Sequence, residues 1–205
     1  MILSLTFDDG FKKHFEVAKL LYKLDIQASF YLITGLERWR GETLLIKEPE
    51  LVRKISEMGH EVGSHTHTHK NLTLLDESSI KQECISSIKV LEEILGERPA
   101  GLAYPYGAYD EKVMRVISDF FAYAKAMGKH NMWNENLKPY EIGSMGIRHL
   151  PKLLLKSLAK MNVNLVVFTF HHEPLWVIEQ AVRLLKSTGL EIMPLYEALR
   201  KLSVV

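Results

Sequence analysis

Short apolar runs alternate with helix-spaced segments along almost the whole chain, and this alternation limits the fold more than any single motif does. Ile2 to Phe7 is one such run, broken by Asp8-Asp9-Gly10, after which Phe11, Phe15, Ala18, Leu21 and Tyr22 recur at helical spacing among lysines. Ile26 to Ile33, rich in β-branched and aromatic residues and stopped at Thr34-Gly35, reads as the next strand. The pattern then repeats. A helix over Glu48 to Met58 precedes a strand at Glu61 to Ser64, and a long helix from Ser78 to Leu95 is ended by Gly96 and Pro99. A strand at Gly101 to Ala103 and a helix from Asp110 to Asp119 follow. Phe121 to Ala126, Leu165 to Phe170 and Leu190 to Met193 are the later strands, with helices over Leu153 to Met161 and Leu175 to Lys186. Such alternation predicts an α/β chain built on a parallel sheet or barrel. Residues 127–149, with Gly128, Asn131, Asn134, Asn136, Pro139, Gly143 and Gly146, have little periodicity and read as a long loop with short strands.

The chain has 205 residues with no composition shift or linker, so a single domain spanning 1–205 is expected. A hydrophobic fraction of 47% with 25% charged residues suits a protein with a sizeable core. The formal net charge is +1, and its 26 basic and 25 acidic residues are mixed. No block of one sign is available to draw in nucleic acid or an anionic membrane, so neither is expected as a partner. Cys84 is the only cysteine, which excludes an internal disulfide framework and a cysteine-based zinc site; a buried helical position is expected for it. The N-terminus carries no basic segment followed by a long apolar one, and no apolar run approaches the roughly 20 residues needed to span a bilayer. The expectation is a cytoplasmic protein.

Chemistry-bearing residues concentrate in four places: Asp8-Asp9-Gly10, His65-Thr-His-Thr-His69, Ala103-Tyr-Pro-Tyr-Gly107 and His171-His172-Glu173. Each follows directly on a predicted strand. In β/α barrels the catalytic residues come from the C-terminal ends of several strands, so these four clusters can converge on one mouth. His65 and His69, four apart, would share one face of a helical turn, whereas an extended segment would add His67 to that face. Spacing alone therefore leaves two or three candidate metal ligands. A carboxylate from Asp8 or Asp9 would complete a three-ligand site with an open position for water, and the other aspartate could accept a proton. Plainer readings exist for each cluster: Asp-Asp-Gly and Tyr-Pro-Tyr-Gly are ordinary turn formers, and a strand-end histidine can simply satisfy a buried hydrogen bond. Trp39, Trp133 and Trp176 could stack on a sugar ring, although single tryptophans are more often core or rim residues.

Taken together, Thr6-Phe-Asp-Asp-Gly10, His65-Thr-His-Thr-His69 and Tyr104-Pro-Tyr-Gly107 resemble the ordered motifs of the polysaccharide deacetylase family, the NodB-homology carbohydrate esterases of family 4. Phe168-Thr-Phe-His171 resembles its last strand with the catalytic histidine. The resemblance implies a distorted, incomplete (β/α) barrel of about seven parallel strands with the active site at their C-terminal ends. It implies removal of an N-acetyl group from an amino sugar, and one divalent metal, zinc with cobalt or nickel as alternatives, on Asp9, His65 and His69. Asp8 would be the general base, His171 the general acid, and the Tyr106 N–H part of the oxyanion site. His67 would be left outside the ligand set.

Two departures stand out. The family's third motif begins with an arginine that pairs with the base, whereas Ala103 stands at the aligned place here; Arg148 is the substitute that chain order permits. The fourth motif, an aspartate and a tryptophan, has no clear counterpart, since Trp133 and Glu141 lie in the right region without the right spacing. Which of His171 and His172 faces the site is also open. The expected function is hydrolysis of N-acetylated saccharide. The rivals are another amidohydrolase on the same scaffold, a deformylase or cyclic amidase, and a catalytically weak sugar binder.

Overall fold

The computed structural model describes residues 1–128, 134, 136–147 and 163–205. In chain order, β1 (Ile2–Phe7) is followed by α1 (His14–Lys23), β2 (Ser29–Leu32) and a small hairpin of β3 (Arg38–Trp39) and β4 (Glu42–Thr43). Then come α2 (Pro49–Glu57), β5 (Glu61–Ser64), α3 (Glu77–Leu95), β6 (Gly101–Ala103), α4 (Glu111–Ile117), β7 (Tyr123–Met127) and β8 (Ile142–Gly146). The chain ends with β9 (Leu165–Phe170), α5 (Leu175–Ser187), β10 (Glu191–Ile192) and α6 (Leu195–Lys201). The helix termini follow local chemistry. Asp76 accepts from Ser79 N at 2.7 Å and Asp110 from Val113 N at 2.8 Å, and Gly96 closes α3 at φ 77°, a left-handed conformation that glycine adopts without penalty.

β1 shows how the sequence builds the sheet. Every residue in it is buried, yet alternate side chains point to opposite faces. Leu3, Leu5 and Phe7 pack outward into the layer shared with the helices, while Ser4 and Thr6 face inward. β9 repeats the division, with Val166, Phe168 and Phe170 outward and Leu165, Val167 and Thr169 inward. On β1 the small polar Ser4 and Thr6 lie inside and the large apolar side chains outside, under the helices, as suits a barrel with a narrow interior and a covered outer face.

The barrel runs β1, β2, β5, β6, β7, β8, β9, all parallel, and β1 pairs again with β9, so seven strands close on themselves. β10 adds to the start of β1, pairing Ile2 with Glu191 and Leu3 with Ile192. Phe7 stacks between Phe30 and Phe170 at ring distances of 4.9 and 5.1 Å, binding the strand ends together just below Asp8. Inside, β6 carries small residues where β7 carries large ones. Gly101 is in register with Tyr123 and Ala103 with Lys125, and a Cβ on Gly101 would lie 2.1 Å from a Tyr123 ring atom.

The seven-stranded (β/α) barrel and the outlines of most elements agree with the alternation in the sequence. β8 is one of the short strands expected within residues 127–149, though its bounds were not legible because its sequence, Ile-Gly-Ser-Met-Gly, holds two glycines that weaken the strand signal. Two elements differ. The β3–β4 hairpin was not expected; its strands are too short to show periodicity, and its turn, Arg40 at φ 47° with Gly41 at φ 83°, is the two-residue kind that needs positive φ at both positions. α6 is an unexpected short helix behind Pro194. The helix expected over Leu153 to Met161 lies outside the described residues. Among the described residues, no helix is long and apolar enough to cross a membrane.

Replacing Gly101 by valine is expected to destabilise the fold by roughly 1–3 kcal/mol, because Tyr123 must leave its place in the barrel interior. Urea denaturation checks this, and an unchanged midpoint would show that the interior repacks freely.

Candidate active site and metal centre

The four polar clusters meet at the C-terminal mouth of the barrel, around a cavity of about 290 Å³. Asp8 continues the inward parity of Ser4 and Thr6, and its N–H donates to Phe170 O at 3.1 Å across the β1–β9 seam. The chain then turns sharply, with Asp9 at φ 71° and Gly10 at φ 72°. Gly10 is required there on two counts, since a Cβ would also lie 2.8 Å from the Leu32 side chain.

His65 ends β5, with its N–H donating to Leu32 O at 2.8 Å. Its Nδ1 lies 2.8 Å from Ala103 O. A carbonyl oxygen only accepts, so Nδ1 carries the proton and Nε2 is left with its lone pair. The segment from His65 to His69 is neither a helical turn nor extended. Thr66 at φ 64° and His69 at φ 57° fold it back, so that the His65 and His69 rings approach to 4.7 Å. Glu83 of α3 holds this loop from behind: its carboxylate accepts from His67 N at 3.0 Å and Thr68 N at 2.7 Å, and from the Thr68 hydroxyl. His67 turns away from the centre and bonds Thr34 Oγ1 through Nδ1 at 3.0 Å.

Asp9 Oδ1 lies 3.4 Å from Nε2 of both His65 and His69, and the two nitrogens are 3.2 Å apart. Ligands bound at about 2.0–2.1 Å in a tetrahedral site would be separated by roughly 3.3–3.4 Å, so the donor triangle fits one small divalent ion. Asp9, His65 and His69 are also the one group of metal-ligating side chains that meets among the described residues. His69 is lowered to about 4, chiefly by burial, which keeps its imidazole neutral, as a ligand must be.

Around this triangle stand the other expected residues. Burial raises the Asp8 carboxyl, but the Lys125 ammonium, with His65 and His171, more than offsets that and holds it below the usual carboxylate range. His171 Nε2 lies 3.8 Å from Asp8 Oδ2, and its carbonyl accepts from His14 Nε2 at 2.9 Å. His172 points elsewhere, its Nδ1 2.9 Å from Glu42 Oε1 on the hairpin, where Lys13 also binds. Tyr106 sits at φ 60° in the turn after β6; the turn's own bonds run from Gly107 N to Tyr104 O and from Ala108 N to Pro105 O, and neither uses the Tyr106 N–H. The hairpin brings Trp39 and Arg40 to the cavity, with Trp39 4.5 Å from the His69 ring on one side and Tyr106 4.8 Å from it on another.

A sequence model described as polysaccharide deacetylase matches residues 2–124. The chain belongs to the polysaccharide deacetylase family. Over 120 residues it is 32% identical to a peptidoglycan-N-acetylglucosamine deacetylase of Bacillus cereus, covering 57% of this chain and 40% of that protein. A chitin deacetylase of Pestalotiopsis is 32% identical over 104 residues, or 50% of this chain and 33% of that protein. The chain thus spans less than half the length of these curated relatives. Among solved structures, a family 4 acetyl xylan esterase of Clostridium thermocellum in complex with a cobalt ion superposes with a TM-score of 0.71 at 16% identity, covering 100% of this chain and 93% of that one. A family 4 pseudoenzyme of Bacillus anthracis superposes at 0.66 with 18% identity, covering 97% of this chain and 65% of that one. At such identities these likenesses establish the fold.

Against the family pattern, the cation beside Asp8 is Lys125, on the strand next to Ala103, with Nζ 2.9 Å from Oδ2. Arg148, the candidate from chain order, lies outside the described residues, as does Trp133. Glu141 pairs with Lys138 at 3.0 Å and is not part of the cavity wall, and Trp176 is exposed on α5. Two contributors escaped the sequence reading. Lys125 had a usable signal, a charged residue inside a predicted strand, and Glu83 looked like any helical glutamate. Trp39, one of three tryptophans named as able to stack on a sugar, is the one at the cavity, carried there by a hairpin too short to detect. Cys84 is buried in α3 as expected.

Glu83→Ala is expected to weaken zinc affinity about 10-fold or more, by releasing the loop that brings His65 and His69 together. Competition with a chromogenic chelator measures it, with His67→Ala as a control that leaves affinity nearly unchanged. Equal affinities in all three proteins would show that the loop holds itself.

Proposed function

We propose that this family member is a metal-dependent hydrolase that removes N-acetyl groups from amino sugars in an oligo- or polysaccharide. The observation that carries the reading is the donor triangle of Asp9, His65 and His69 with Asp8 and His171 immediately beside it. The names of the relatives, deacetylases of peptidoglycan N-acetylglucosamine and of chitin, support the substrate class. A divalent ion on these three residues, zinc, cobalt or nickel by the donor set, would supply Lewis acidity toward the acetyl carbonyl and the attacking water.

The side chains supply the proton transfers. Asp8 Oδ1 is buried with no hydrogen-bond partner among the described residues, and it accepts the water proton as the water oxygen bonds to the carbonyl carbon. The Tyr106 N–H faces the oxygen that gains charge. His171 gives its proton to the nitrogen as the C–N bond breaks, which leaves acetate and a free amine. Burial lowers His171 below the usual imidazole range, and the neighbouring charges of Asp8 and Asp9 offset that only in part. The Trp39 and Tyr106 rings, on two sides of His69, offer apolar faces to the sugar.

Metal-stripped protein given N-acetylglucosamine oligomers is expected to release no acetate until zinc or cobalt is restored. Tight metal binding without acetate under any metal would overturn the deacetylase reading. Within the site, Asp9→Ala is expected to lose the metal, whereas Asp8→Asn keeps it and loses about 10²–10⁴-fold in kcat. Full activity in both variants would show that the aspartates are misassigned.

A further inference from the structure

We propose that Lys125 is the positioning residue of Asp8, occupying one carboxylate oxygen so that the other meets the attacking water; this role rests on the deacetylase reading. Its ammonium donates to Asp8 Oδ2 at 2.9 Å and to Thr169 Oγ1 at 3.2 Å, and lies 5.2 Å from the centre of the Tyr31 ring. Thr169 in turn donates to Ser144 Oγ at 2.7 Å, and Ser144 to Ala126 O at 3.0 Å. The ammonium is therefore located by side chains from β1, β2 and β9, backed by β8. Lys125 is 1% exposed, so no water competes for its donors and the side chain has nowhere else to go. Asp8 Oδ1, by contrast, has no partner among the described residues. One oxygen is tied to the scaffold and the other is free to take a proton.

The sheet explains why the cation stands on β7. Ala103 and Lys125 are partners in the β6–β7 ladder, as are Gly101 and Tyr123, and a Cβ on Gly101 would already strike the Tyr123 ring. Small residues on β6 make room for large ones on β7, so both the charge and the bulk stand on β7. The match to the family model ends at residue 124, one position before this lysine. A buried ion pair is not in itself a source of stability, since desolvating both charges offsets much of their attraction. Its geometry does have a consequence for a base, because an error of about 1 Å in the placement of a reacting group can cost on the order of 100-fold in rate.

The test uses the full chain loaded with zinc and compares Lys125→Met, close in shape but uncharged, with the double variant Ala103→Arg/Lys125→Ala, which returns a cation to the neighbouring strand. Lys125→Met is expected to lower kcat about 100-fold in a protein that remains folded, with KM and zinc content near those of the unaltered protein and a lowered melting temperature because Asp8 loses the partner of its buried charge, and the double variant to regain at least about 10-fold of the kcat loss. Should the double variant not fold, Lys125→Ala supplied with n-propylammonium takes its place, with n-propanol as the uncharged control. The proposal is overturned if Lys125→Met keeps its kcat, if the loss merely tracks lost zinc or unfolding, or if neither relocated nor added cation restores turnover beyond its control. No acetate from the unaltered protein would remove the deacetylase reading and this role with it, whereas an active parent with an equally active Lys125→Met would remove only the role of the lysine.

Discussion

Closure of the sheet between β1 and β9 is the constraint on which the site depends. The ladder runs from Ile2 and Leu165 to Phe7 and Phe170, so Asp8 and His171 leave the barrel side by side at the same height. A slip of one residue in either strand would turn one of them toward the helices, because side chains alternate across a strand. Phe7, stacked on both neighbouring strands directly below Asp8, makes that slip costly by filling the outer layer with a ring that has no place inside. The candidate base and the candidate acid are thus brought together by the backbone pairing of the barrel, and their side chains have little to search.

Strain and charge gather where this framework ends. Asp9, Thr66, His69 and Tyr106 all adopt positive φ without being glycine, at a cost of order 1–3 kcal/mol each, and all four belong to the rim of one cavity or the loop behind it. Specific bonds hold them in place. Ser64 Oγ accepts from Thr66 N at 3.0 Å, Thr66 Oγ1 from His69 N at 3.1 Å, and Glu83 ties down the middle of the same loop. The result is three candidate ligand atoms spaced for one ion.

The sequence was most readable where one physical signal dominates. Long buried strands such as Ile2–Phe7 and Leu165–Phe170 appear with the same bounds in sequence and structure, since nothing else produces a run of this length and composition between turns. Glu61–Ser64 and Gly101–Ala103 were readable for the same reason, helped by the helices on either side. β8 was not, because two of its five residues are glycines and its place is set by pairing with β7 and β9. The hairpin carrying Trp39 has no periodicity to read at all.

The division at the site is of the same kind. The sequence by itself determined the family, the barrel, and the candidates for binding a metal and moving a proton, because Asp8-Asp9-Gly10, the histidine cluster and His171 each sit at a strand end where the chain must turn toward the mouth. It could not say whether His65 and His69 or all three histidines would converge, nor which of His171 and His172 faces Asp8, since those outcomes depend on a few positive φ angles and on partners such as Glu83 and Glu42. Nor could it place Lys125 beside Asp8, more than a hundred residues away, because that contact exists only once the strands are ordered around the barrel. Local chemistry is written in neighbouring residues; the pairing of distant side chains is decided by strand order and register, which only the closed sheet supplies.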